Sequence, residues 1–201
     1  MTDSQKKTDR RGFVGDGLRV LGAIAIGGTA AAVASRKGRH DDLVWQIDPD
    51  ECMACGNCAT YCVLDESAVK AVQFYPMCAM CDPCPGYFDL GHFERSTAAE
   101  NQLCPTGAIE RRFIADQAGA PRYEYFIDEP LCIGCGKCVK GCAMMNGSLY
   151  LQVRHDRCVH CNQCAIAVAC PTQAFRRVPA DEPYLLKRKA REILMRKAGD
   201  A

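Results

Sequence analysis

Residues 132–142 read CIGCGKCVKGC, with Cys132, Cys135 and Cys138 at every third place and Cys142 after three intervening residues. A disulfide requires a particular Cα separation and suitably directed Cβ vectors, and thiols three apart meet those conditions poorly among themselves. The same spacing suits a chain that wraps one metal centre with several thiolates. Three other stretches repeat the pattern. CMACGNCATYC supplies Cys52, Cys55, Cys58 and Cys62; CAMCDPC supplies Cys78, Cys81 and Cys84, with Cys104 following in LCPTGAI; and CVHCNQC supplies Cys158, Cys161 and Cys164, with Cys170 following in ACPTQAF. All 16 cysteines of the 201-residue chain fall into these four groups.

Sixteen thiolates at four per cubane make four [4Fe-4S] clusters, and the other cysteine chemistries fit less well. Structural zinc uses paired CxxC knuckles with a longer separation, whereas these runs add a third cysteine at the same short step. Covalent haem needs CxxCH, and no CxxC in this chain is followed by histidine. A secreted disulfide framework does not call for four near-identical triplets. Gly56, Gly134 and Gly136 let backbone N–H groups approach a sulfide cage, and Ala54 and Ala79 leave room for it. The same glycines also suit tight turns. Pro105 and Pro171, each following a cysteine, are expected to open a helical turn, in TGAIERR and TQAFRRV.

An internal repeat supports the count. Shifting IDPDECMACGNCATYC by 80 residues lands on IDEPLCIGCGKCVKGC, and the same shift carries Cys78, Cys81 and Cys84 onto Cys158, Cys161 and Cys164. The closing pieces CPTGAIERR and CPTQAFRRV match at a shift of 66, so 14 extra residues lie in PGYFDLGHFERSTAAENQL between Cys84 and Cys104.

The rest of the chain bounds the function. With 25 basic against 24 acidic residues, it lacks the basic excess expected of a nucleic-acid binder. Low aromatic content, 17 glycines and 10 prolines indicate a loop-rich interior in which cofactors replace part of the hydrophobic core. Residues 1–34 read as an export segment: a basic start, the apolar run LRVLGAIAIGGTAAAVA and an Ala-x-Ala end at Ala32–Ala34. Arg10 and Arg11 before Gly12, Phe13 and Val14 resemble a twin-arginine signal, which implies export of an already folded protein to the periplasm or the outer face of the cytoplasmic membrane. A retained membrane anchor is the alternative, since about 17 apolar residues can just cross a bilayer. His92, His155 and His160 are expected at the surface or behind the ligands rather than on metal. The tail, 181–201, carries Leu185, Leu186, Ile193 and Leu194 among basic residues; it reads as a basic amphipathic helix, either solvated or docking a partner or an anionic membrane surface. No nucleophile elbow, dinucleotide fingerprint or phosphate loop is present, so no catalytic residue is assigned.

From Ile47 to Val178 the four motifs resemble the four-cluster ferredoxin subunits of membrane-associated respiratory oxidoreductases: the electron-transfer beta subunits of molybdenum enzymes and the exported ferredoxins of periplasmic nitrate reduction. The resemblance implies single-electron relay between a quinone-reactive membrane partner and a catalytic subunit. Cys62 and Cys142 depart from the family pattern in lacking a following proline. A free-standing ferredoxin shuttle and an enzyme with a catalytic cluster are the other readings. The enzyme is disfavoured because each cluster already has four thiolates available.

The expected fold class is α+β: two loop-rich, ferredoxin-like, two-cluster modules across residues 44–180. The stretch from CPTGAIERR to FIDEPLC reads as a short helix, a strand, a Gly-Ala-Pro turn and a second strand entering the third motif. The second and third motifs then form one module and the first and fourth the other, with VWQID and AFRRV as outer strands. That nested arrangement assigns Cys52, Cys55, Cys58 and Cys170 to one cluster, and Cys158, Cys161, Cys164 and Cys62 to a second. Cys78, Cys81, Cys84 and Cys142 form a third, and Cys132, Cys135, Cys138 and Cys104 a fourth. A tandem arrangement, first motif with second and third with fourth, is the alternative suggested by the 80-residue repeat.

Overall fold

The computed structural model describes residues 43–117 and 119–199, so the expected export segment lies outside the described residues. The fold is α+β. Six strands and four short α-helices alternate with loops among the described residues: β1 (Leu43–Ile47), α1 (Asn57–Tyr61), β2 (Val69–Gln73), β3 (Ile109–Gln117), β4 (Ala120–Ile127), α2 (Lys137–Ala143), β5 (Leu149–Val153), α3 (Ala165–Ala169), β6 (Phe175–Pro179) and α4 (Arg188–Gly199).

The strands form three two-stranded ladders, β1 with β6, β2 with β5 and β3 with β4. First pairs with last, second with fifth and third with fourth. The VWQID and AFRRV stretches do meet as outer strands, and Asp48 just beyond β1 binds Arg176 of β6 at 2.8 Å. The central ladder is the most buried. Val69 faces Val153 and Ala71 faces Leu151 across antiparallel strands, and all five residues of β5 are buried.

Two local expectations are corrected. No helix follows Pro105 or Pro171; each opens only a turn, and strands begin at Ile109 and Phe175. Gly107 and Gln173, at φ +67° and +52°, stand in the left-handed region and stop the helical turn before it can propagate. The hairpin turn also lies earlier than Gly-Ala-Pro. Ala120 already pairs with Gln117 and Pro121 with Asp116. Proline is tolerated in β4 because a two-stranded ladder has only edges.

The insertion between Cys84 and Cys104 closes on itself. Leu103 N–H donates to Tyr87 O at 2.8 Å, Asp89 N–H donates to Asn101 O at 2.8 Å, and Phe88 bridges Gln102. Tyr87 and Phe88 are buried; Tyr87 packs on Tyr125 of β4 at 5.4 Å, while Arg111 of β3 caps the Phe88 ring at 5.1 Å. Because its ends are paired, the extra length is spent in an outward loop and the chain returns to deliver Cys104.

The tail does not form one amphipathic helix. Its helix starts at Arg188, and Leu185 and Leu186 precede it as half-buried residues that run along the core. Gln46 donates to Pro183 O at 3.0 Å and Lys187 Nζ to Gly147 O at 2.7 Å, while Asp50 Oδ2 accepts from Arg188 N–H at 2.9 Å. Ala190 is the one buried residue of α4, and Leu194 and Met195 are exposed. No helix among the described residues is long and apolar enough to cross a membrane.

Gly141 of α2 shows how tightly the loops meet the helices. A Cβ there would lie 1.9 Å from Pro85 O and 2.8 Å from Pro85 C, both backbone atoms. Gly141→Ala is expected to lower the stability of the folded protein by about 2–3 kcal/mol, read as a lower urea midpoint. Gly119→Asn, at an open left-handed turn with nothing within 4 Å, should change the midpoint little. Equal effects at the two positions would contradict this packing.

Candidate metal centres

Each three-cysteine loop uses the same backbone device. The second residue after the first cysteine has positive φ in all four motifs: Ala54 at 54°, Met80 at 50°, Gly134 at 72° and His160 at 51°. Three of these are not glycine, and the left-handed region costs an ordinary residue about 1–2 kcal/mol. Such strain persists only where the surroundings over-determine it, commonly at a binding site. In three of the motifs the three thiols of the loop line one pocket, and a fourth thiol joins them from elsewhere in the chain.

That fourth thiol identifies each quartet. Cys62 lines one pocket with Cys158, Cys161 and Cys164. Cys104 lines a second with Cys132, Cys135 and Cys138. Cys142 lines a third with Cys78, Cys81 and Cys84. Cys55 and Cys170 both lie in electrostatic reach of Cys52 and Cys58. The chain thus brings together all sixteen thiols in the nested combinations. Among the described residues no group of three or more His, Cys, Asp or Glu side chains converges on a single metal ion. The thiols of the first three quartets line a void instead.

The donor set around the sulfurs suits thiolate. Ala71 N–H donates to Cys132 Sγ and Ala174 N–H to Cys170 Sγ, each at 3.3 Å. Ser148 Oγ lies 3.4 Å from Cys142 Sγ and Thr106 Oγ1 lies 3.5 Å from Cys104 Sγ. Without a bound cation the quartets are electrostatically unfavourable. Burial first, and then neighbouring thiolates, push up Cys52, Cys58 and Cys158. The same combination pushes Cys138 up to about 12, while burial raises Cys84 to about 11 against backbone N–H groups that pull it down. A cationic core would discharge that repulsion.

Several side chains that hold the loops have no cysteine signature. Trp45 donates Nε1–H to Cys161 O at 2.8 Å, under the guanidinium of Arg177 at 4.4 Å. Asn57 donates to Ala169 O at 2.7 Å, which ties the first motif to the fourth, and Ser67 Oγ donates to Cys58 O at 2.8 Å within the first. Lys70, fully buried, donates to Cys132 O at 2.5 Å. The short apolar run of AVKAVQ, interrupted only by Lys70, is the signal that could have placed Lys70 in a strand beside a motif. Of the histidines, His92 is exposed, while His155 stacks on His160 at 5.8 Å and packs on Tyr184 at 5.4 Å. Burial lowers the pKa of His155.

The two loop systems meet at Gly56 and Gly136. A Cβ on Gly136 would meet Ala54 Cβ and Ala54 O at 3.2 Å, and one on Gly56 would meet Cys135 O at 3.3 Å. The loop of Cys52–Cys58 therefore lies backbone to backbone on the loop of Cys132–Cys138.

The thiol environment sets a pH dependence. In the folded, metal-free chain, Cys138, pushed up to about 12, stays protonated through pH 9, where an ordinary thiol of pKa about 8.5 is mostly ionised. Iodoacetamide labelling of Cys138, followed by peptide mass spectrometry, should remain slow at pH 9 and accelerate only towards pH 12. Labelling of Cys138 at pH 9 as fast as that of the exposed Cys55 would contradict this burial.

No protein-family model, curated protein or solved structure matches this chain.

Proposed function

We propose that this chain is an iron–sulfur electron carrier of the four-cluster ferredoxin type, holding four [4Fe-4S] clusters in two nested two-cluster modules. The observation that carries the reading is the grouping of sixteen thiols into four quartets, each made of three cysteines from one loop and one from another. That sharing of a fourth ligand between motifs is the ligation habit of two-cluster ferredoxins. Cys52, Cys55, Cys58 and Cys170 would hold one cluster, and Cys158, Cys161, Cys164 and Cys62 its module partner. Cys78, Cys81, Cys84 and Cys142 would hold the third, and Cys132, Cys135, Cys138 and Cys104 the fourth.

Each cluster, when bound, takes up and releases one electron at a time. The protein's own part is to hold the sulfurs, donate hydrogen bonds to them and exclude water. The contact of Gly56 and Gly136 with the facing loops supports a passage between the modules at that point. Tyr61, Val63 and Val159 are half or more exposed around the Cys62 and Cys158 pocket, which suits a partner protein docking there and sealing that end from water. We assign the partners to a quinone-reactive membrane subunit and a catalytic oxidoreductase subunit, reached after export on the twin-arginine segment. No nucleic acid is involved. A serviceable alternative is a free-standing shuttle in the same compartment.

Ligand exchange tests the pairing. Cys170→Ser, a harder oxygen ligand, should alter the same electron paramagnetic resonance signal as Cys55→Ser, with a shifted potential or a lost iron. If Cys170→Ser instead alters the signal that Cys135→Ser alters, the modules follow one another along the chain and the nested reading fails.

A further inference from the structure

Lys70 is the largest fully buried side chain in the described fold, at 0% exposure, and the only charged residue among its buried ones. It sits in the central ladder, opposite Gln152. Its Nζ makes one hydrogen bond, to Cys132 O at 2.5 Å, and no carboxylate pairs with it among the described residues. A buried ammonium with a lone carbonyl for company is costly, and such groups are retained where an opposite charge compensates them. The next residue along β2 points to the source of that charge, because Ala71 N–H donates to Cys132 Sγ at 3.3 Å. Two consecutive residues of one strand thus address the same cysteine, one at its carbonyl and one at its sulfur.

The repeat provides an internal control. The 80-residue shift that superposes the motifs carries Lys70 onto Tyr150 in β5, which is also buried, at 4% exposure. A strand in this position therefore folds with an uncharged side chain, and nothing in the strand's own packing calls for a lysine.

We propose that Lys70 is a built-in positive charge for the site of Cys104, Cys132, Cys135 and Cys138, raising the potential at which that site accepts an electron. The inference rests on the reading of the quartets as cluster sites. A cation held in a low-dielectric interior stabilises whichever state carries more negative charge, and for this site that is the state with one more electron. Lys70 then sets the step in the electron path next to the contact between the two loop systems. It is a positioning and tuning residue, since it touches the ligand's backbone and not the reacting atoms.

The test uses the full-length, cluster-loaded protein purified anaerobically, with Lys70→Met, Lys70→Gln and Lys70→Arg beside the parent. Iron content is measured first, followed by dithionite titration under electron paramagnetic resonance, with Cys104→Ser identifying the signal of the site. Lys70→Met and Lys70→Gln should keep their iron and lower the electron-uptake constant of that one signal about tenfold, a shift of about 59 mV. Lys70→Arg should stay near the parent, and the other three signals should not move. Equal potentials for Lys70→Gln and Lys70→Arg at full iron content would overturn the proposal, as would a uniform shift of all four signals. If Lys70→Met loses iron, the Gln and Arg pair decides by the same comparison. A parent protein without four clusters would overturn the quartet reading itself, and the iron content separates that failure from a silent Lys70.

Discussion

Burial of thiols beside one another, first by its desolvation cost and then by their mutual repulsion, is the constraint on which the rest of the structure depends. Cys58 and Cys138 are buried, and each feels the other thiols of its own quartet after the cost of desolvation. No chain would assemble four such groups for their own sake. The strained left-handed residues Ala54, Met80 and His160, and the backbone N–H bonds of Ala71 and Ala174 to sulfur, act in the same direction: they fix thiols that would otherwise separate. On the proposed reading, a bound cationic core would offset that strain and repulsion and so favour the folded state. The small size of the apolar ladders is consistent with a fold whose centre is not hydrocarbon alone.

The nested order of strands follows from the same need. A fourth cysteine drawn from a distant motif requires that motif to be adjacent, and the ladders β1–β6, β2–β5 and β3–β4 bring first and fourth, and second and third, together. The central ladder serves both sets. Ala68, Val69 and Val153 line the pocket of Cys62, Ala71 the pocket of Cys104, and Leu149 the pocket of Cys142. One ladder thereby fixes three quartets at once, so register there is set by burial on every side.

Cysteine spacing made the candidate ligands legible, because three thiols at a step of three have few uses. The outer and hairpin strands were legible too, from the apolar runs flanking the motifs. The β2–β5 pairing was not, since two motifs and a hairpin separate those short strands and no turn between them announces it. The loop after Cys84 was legible only as extra length; its closure depends on Leu103 N–H reaching Tyr87 O and on Arg111 capping Phe88, which are tertiary contacts. Helical turns after Pro105 and Pro171 were expected from proline's preference and were overridden at Gly107 and Gln173 by left-handed backbone. Lys70 shows the limit of pattern reading most sharply, since a lysine in a short strand ordinarily faces water.

The most direct measurement is the content of iron and acid-labile sulfide per chain after anaerobic purification of the intact protein. Four cubanes require about sixteen of each per chain. A value near eight, with every chain folded, would mean that half of the quartets do not hold clusters and would contradict the four-cluster carrier.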